Sequence, residues 1–144
     1  MTNFLKKNAV FPSLLLIFFA VSSLAQNKKE GDALDNKTFN ITLSIDGSKS
    51  SKSEDDVLSF KNGKLSSKLM GKSDFNSGSY KITKDSLDAD KDRVILFTSE
   101  MKTDAGDVLK WEGMITGESN IEGTSVWSKG SKTKKSYSFI GSLK

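Results

Sequence analysis

From residue 37 onward the chain alternates apolar and polar side chains. Phe39, Ile41, Leu43 and Ile45 interleave with Asn40, Thr42, Ser44 and Asp46, the period of two that marks a strand with one buried face. A polar loop over residues 47–56 follows. Residues 57–61 and 64–69 then flank Asn62-Gly63, a pair that tolerates positive φ and is the strongest short signal for a tight hairpin. A second loop spans residues 71–77. A strand through Tyr80 and Ile82 leads to the acidic stretch 85–92, and the segments 93–102, 108–116, 120–127 and 136–143 complete the pattern, with Thr103-Asp104-Ala105-Gly106 as a turn. No segment has an apolar period of 3.6, and the only proline, Pro12, lies far upstream.

Eight sequential strands joined by short turns predict an all-β domain, an eight-stranded antiparallel up-and-down β-barrel of lipocalin-like form. Closure would remove the exposed edges that an open sheet leaves. A β-sandwich is the alternative architecture.

The last three strands can be placed in register from the pattern alone. If Gly117-Glu118-Ser119 is a three-residue loop, Ile115 faces Ile121, Gly113 faces Gly123, Trp111 faces Ser125 and Leu109 faces Trp127, which gathers the apolar residues on one face. The other face carries Glu112 and Glu122, expected as surface charges. The same logic sets Trp127 opposite Tyr137, Ser125 opposite Phe139 and Gly123 opposite Gly141. A row of glycines, Gly113, Gly123 and Gly141, would then lie on the inner wall beside Trp111, Trp127, Tyr137 and Phe139. Such a row lets a sheet bend into a closed wall, and it also leaves room for a ligand at a barrel mouth.

The first 25 residues read differently. Lys6 and Lys7 precede an apolar run from Ala9 to Val21, and Ser23-Leu24-Ala25 places small residues where a signal peptidase cuts. The run is shorter than the roughly 20 residues a spanning helix needs. The expected organisation is a signal peptide over 1–25, a flexible polar segment over 26–36 and the β-barrel domain over 37–144, giving a secreted or periplasmic product with no stable membrane insertion.

Charge and composition then exclude several chemistries. Without Lys6 and Lys7 the chain carries 20 basic against 18 acidic residues, and Arg93 is its only arginine, so nothing marks a nucleic-acid binder. The densest basic run, Lys129, Lys132, Lys134 and Lys135, falls in a stretch that reads as a solvated hairpin tip. With 0 cysteines and 0 histidines there is no disulfide, no thiolate nucleophile and no imidazole base or ligand, so neither a catalytic role nor a metal or other cofactor is expected. Asp88, Asp90 and Asp92 have the spacing of calcium ligands, but Arg93 stands where such a loop needs glycine, and an acidic hairpin loop is the better reading.

The segments Lys110-Trp111-Glu112-Gly113, Ile121-Glu122-Gly123-Thr124-Ser125-Val126-Trp127 and Tyr137-Ser138-Phe139-Ile140-Gly141-Ser142-Leu143 together resemble the C-terminal signature of small exported bacterial β-barrels described as lipocalin-like or avidin-like. The resemblance covers roughly the last 35 residues. It implies a calycin-type barrel. Two functions follow as expectations. The first is a carrier of a small apolar or aromatic molecule, held at the barrel mouth by Trp111, Trp127, Tyr137, Phe139 and Ser125 above Gly113, Gly123 and Gly141. The alternative is a protein-interaction or inhibitor module of the cell envelope whose barrel is filled by its own side chains.

Overall fold

The computed structural model describes residues 33–47, 49 and 52–144, so the signal peptide read over 1–25 and the larger part of the polar lead-in lie outside the described residues. The strands are β1 (Lys37–Ile45), β2 (Ser53–Lys61), β3 (Lys64–Ser67), β4 (Gly78–Leu87), β5 (Arg93–Lys102), β6 (Asp107–Thr116), β7 (Asn120–Lys129) and β8 (Lys132–Leu143), with one short helix, α1 (Lys68–Gly71). Each strand pairs antiparallel with the next. β8 returns to β1, with Gly141 opposite Ile41 and Phe139 opposite Leu43, and closes an eight-stranded barrel. The β-sandwich is thereby set aside.

The alternation along β1 places Phe39, Ile41 and Leu43 in the core. Asn62 and Gly63 adopt φ of 53° and 74°, the left-handed conformation of a tight turn, and bring Lys61 opposite Lys64. Phe60 sits at the hub of the interior. The rings of Phe39, Tyr80 and Phe97 stand edge-on to it at centroid distances of 5.9, 5.1 and 5.1 Å.

Segments outside the strand ladder add buried side chains at both ends of the barrel. At one end, Ala33 to Asn36 form a turn that buries Leu34 completely, and Asp35 Oδ1 accepts the Asn62 backbone N–H at 2.6 Å. The expected flexible segment 26–36 is therefore ordered over its last four residues, because a single leucine finds the core. At the other end, β3 stops after four residues and α1 begins, where a strand through residue 69 was expected. Asp56 on β2 explains the change. Its carboxylate accepts from the Ser67 hydroxyl, from Leu69 N at 2.8 Å and from Val57 N at 2.7 Å, while Ser67 Oγ accepts from Met70 N at 3.0 Å as the helix N-cap. The segment so held drops Met70 and Phe75 into the core, 3% and 2% exposed.

Two irregularities shape the wall. Thr83 is an extra residue between Ile82 and Lys84 in the β4–β5 ladder, and Lys134 is an extra residue on β8, where Thr133 and Lys135 face the consecutive Ser128 and Trp127. The hairpin after β7 is also tighter than the sequence pattern predicts. Lys129 pairs with Lys132 across the two-residue turn Gly130-Ser131, and the four exposed lysines of the basic run stand at this solvated hairpin tip.

Candidate functional site

The β6–β7 register is the one predicted from the three-residue loop: Ile115 with Ile121, Gly113 with Gly123, Trp111 with Ser125 and Leu109 with Trp127. The β7–β8 register differs from expectation by two residues. Tyr137 faces Ser125 and not Trp127, Phe139 faces Gly123 and not Ser125, and Gly141 faces Ile121 and not Gly123. The tight turn together with the bulge at Lys134 causes the offset, and because it is an even number every side chain keeps its face.

The glycine row is consequently a pair with an aromatic beside it. A Cβ on Gly123 would run into the Glu112 carbonyl and lie 2.7 Å from Gly113 Cα and from the end of the Phe139 ring. A Cβ on Gly113 would strike Phe97, with Phe139 at 3.1 Å. Gly141 is separate and serves the β8–β1 seam, where a Cβ would meet the Asn40 carbonyl and lie 2.7 Å from Ile41 Cα. The space above the first two glycines is filled by Phe97 and Phe139.

The aromatic set meets the same fate. Trp111 and Ser125 are 0% exposed, Phe139 3% and Tyr137 6%, and the Trp111 and Phe139 rings pack at 5.4 Å. Trp127 lies half-buried at the α1 end. Phe75 stacks edge-on to it at 5.0 Å, and Lys134 and Lys135 place their Nζ atoms 5.6 and 5.7 Å from its ring centre. At this end of the barrel Phe75 and Met70 are buried in the core beside Trp127, and Lys134 and Lys135 lie over its ring. Sequence patterning missed both end segments, although a lone phenylalanine in the polar loop 71–77 and a leucine in the polar lead-in were the available signals.

Electrostatics at this end centre on Asp107. Lys134 Nζ lies 3.1 Å from Asp107 Oδ1 and holds the carboxyl below the usual range, with a smaller contribution from the Trp127 indole N–H, which lies outside hydrogen-bond geometry. Burial pushes the Tyr137 phenol up, helped by the negative charge of Glu54. Deeper inside, Trp111 Nε1 and Ser125 Oγ are buried with no hydrogen-bond partner among the described residues. These two residues are cross-strand partners on the inner wall.

Asp88 spends its carboxylate on its own turn, accepting the backbone N–H groups of Asp90 and Asp92, both at 2.9 Å. Among the described residues, no three acidic side chains converge as a metal site.

The outer wall offers the more open surface. Across β5 to β8 a depression of about 710 Å³ is walled by Leu96, Thr98, Glu112, Met114, Glu122 and Thr124, and Gly113 and Gly123 lie in its floor. Glu112 and Glu122 do face outward, as the pattern predicts. A second hollow of about 670 Å³ lies between β8, β1, β2 and α1, and Ile140, 64% exposed, borders it. Comparison with protein families, with curated proteins and with solved structures finds no match for this chain, so the functional reading rests on its own geometry.

Proposed function

We propose that the protein is a non-catalytic interaction module of the cell envelope, exported by its first 25 residues and working through the outside of a filled barrel. One observation carries the reading. The inner wall that a carrier would use is occupied by the protein's own rings, and among the described residues Leu34 at one end and Met70 with Phe75 at the other are buried in the same core. Eight strands enclose a space that side chains can just fill, and here they do so with aromatics.

A carrier reading retains one specific support, the buried and unpartnered Trp111 Nε1 and Ser125 Oγ, which a small polar group could satisfy. Entry at the α1 end would require the segment from Lys68 to Phe75 to swing away. Titration of the protein with oleate and with 1-anilinonaphthalene-8-sulfonate, read by tryptophan fluorescence, separates the two. The interaction module shows no saturable change. Stoichiometric binding that is lost in Trp111→Phe would replace it with the carrier.

A further inference from the structure

The strand registers lay two rows of side chains across the outer face. In the first, Leu96 is opposite Met114, Met114 opposite Glu122 and Glu122 opposite Ile140. In the second, Thr98 is opposite Glu112, Glu112 opposite Thr124 and Thr124 opposite Ser138. The rows line the depression above Gly113 and Gly123 and continue to the exposed Ile140. An apolar stripe therefore runs beside a hydroxyl-bearing one, with one glutamate in each and a β4 lysine, Lys84 or Lys81, at the far end of each row.

The two charged side chains that line the depression itself, Glu112 and Glu122, are both acidic. Glu100 pairs with Lys102 and Lys110, and Asp85 and Glu118 both pair with Arg93, yet Glu112 and Glu122 make no ion pair or hydrogen bond among the described residues. They are diagonal neighbours across the β6–β7 ladder, a relation that sets residues about 7–8 Å apart. Two like charges held beside Leu96, Met114 and Ile140 suit a ligand that brings cations together with apolar groups. We infer that this face docks a basic segment of a partner protein in which lysine or arginine side chains lie next to apolar ones, the cations over Glu112 and Glu122 and the apolar groups over Leu96, Met114 and Ile140. The inference rests on the filled-barrel reading and names the partner's chemistry. Exposed charges steer such an encounter and set its specificity, while the apolar stripe supplies the lasting contact, so the complex is a transient one.

The test uses the isotopically labelled full chain and two ten-residue peptides, one of alternating lysine and leucine and one of alternating glutamate and leucine, followed by amide chemical shifts. The lysine peptide is expected to move the signals of Gly113, Met114, Gly123 and Ile140, and the glutamate peptide to leave them still. Replacing both acids, Glu112→Gln with Glu122→Gln, is expected to weaken binding about tenfold, and Met114→Ser with Ile140→Ser to weaken it independently. All four side chains point outward, with Met114 half-buried, and an unchanged spectrum of the free variant confirms its fold. Binding that survives the double glutamine variant, shifts confined to another face, or no shifts at millimolar peptide each overturn the inference. Movement of the same signals with protein concentration alone would assign the face to a second copy of the chain and overturn it as well. If the peptide fails while oleate binds inside, the filled-barrel reading has failed; if both fail to bind, only the partner assignment has.

Discussion

Gly123 is the position where the backbone leaves no latitude. A methyl group there meets a carbonyl of the neighbouring strand and the Phe139 ring together, and the ladder cannot give way without parting β6 from β7. Gly123→Ala is expected to cost at least about 1–3 kcal/mol, the usual range for overpacking, in urea unfolding. Gly113→Ala should cost less, since the end of the Phe97 ring can tilt aside. Ser125 makes the opposite prediction. Its hydroxyl is fully buried and unpartnered, so Ser125→Ala removes a desolvation penalty and is expected to raise stability by about 1 kcal/mol. A loss of stability would mean that something inside the barrel holds the hydroxyl. At this scale the pairing of Gly113 with Gly123 was legible because one loop length set every residue of a hairpin. Gly141 was misplaced because a bulge at Lys134, just past the hairpin turn, has no signature in the apolar pattern.

Among the elements, the closing segment after β3 depends on one buried carboxylate. Asp56 satisfies two backbone donors and the Ser67 hydroxyl, which in turn caps α1. Asp56→Ala strands all three donors and is expected to cost about 2–3 kcal/mol, with faster hydrogen exchange at Leu69 and Met70 before any loss in β5 to β8. The β3–β4 seam beside it has only two paired positions, Lys64 with Ser79 and Leu65 with Gly78, so this is where the wall should loosen first. None of this was readable from the chain. A four-residue helix has no period to detect, and the residue that nucleates it lies eleven positions away on another strand. The strands themselves were legible, since each needs only its own alternation of faces, and their ends were not, because pairing carried β2 back to Ser53 and β8 back to Lys132.

For the molecule as a whole, barrel closure followed from strand count and the need to hide edges, whereas whether the barrel is hollow did not. That depends on Leu34, Met70 and Phe75, which come from turns and loops where sequence patterning is weakest. pH should act on the closed barrel from both sides. On the acid side, Arg93 joins Asp85 and Glu118 and so ties the β4–β5 hairpin to the β6–β7 turn, and it holds the Asp85 carboxyl below its ordinary range. A depressed carboxyl stabilises the fold above its unfolded value and loses that contribution as pH falls through the folded one. The pair is over a third exposed, so its worth is about 0–1 kcal/mol, and the gap in Tm between wild type and Asp85→Asn should close below about pH 4.

On the alkaline side the sign reverses. The Tyr137 phenol is raised chiefly because its ring is buried against the inner wall, with Glu54 adding repulsion to the phenolate. Folding then favours the neutral form. Stability is full below the ordinary tyrosine value of about 10 and declines as pH rises through the higher folded value, because the unfolded chain gives up its proton first. Absorbance at 295 nm in a Tyr80→Phe background, which leaves Tyr137 as the only tyrosine, should rise late and together with loss of the fold. A Tyr137 that titrates at its ordinary value while the barrel stays intact would mean that solvent reaches the inner wall. The side chains buried at the barrel ends, Leu34 and Phe75, would then not exclude water.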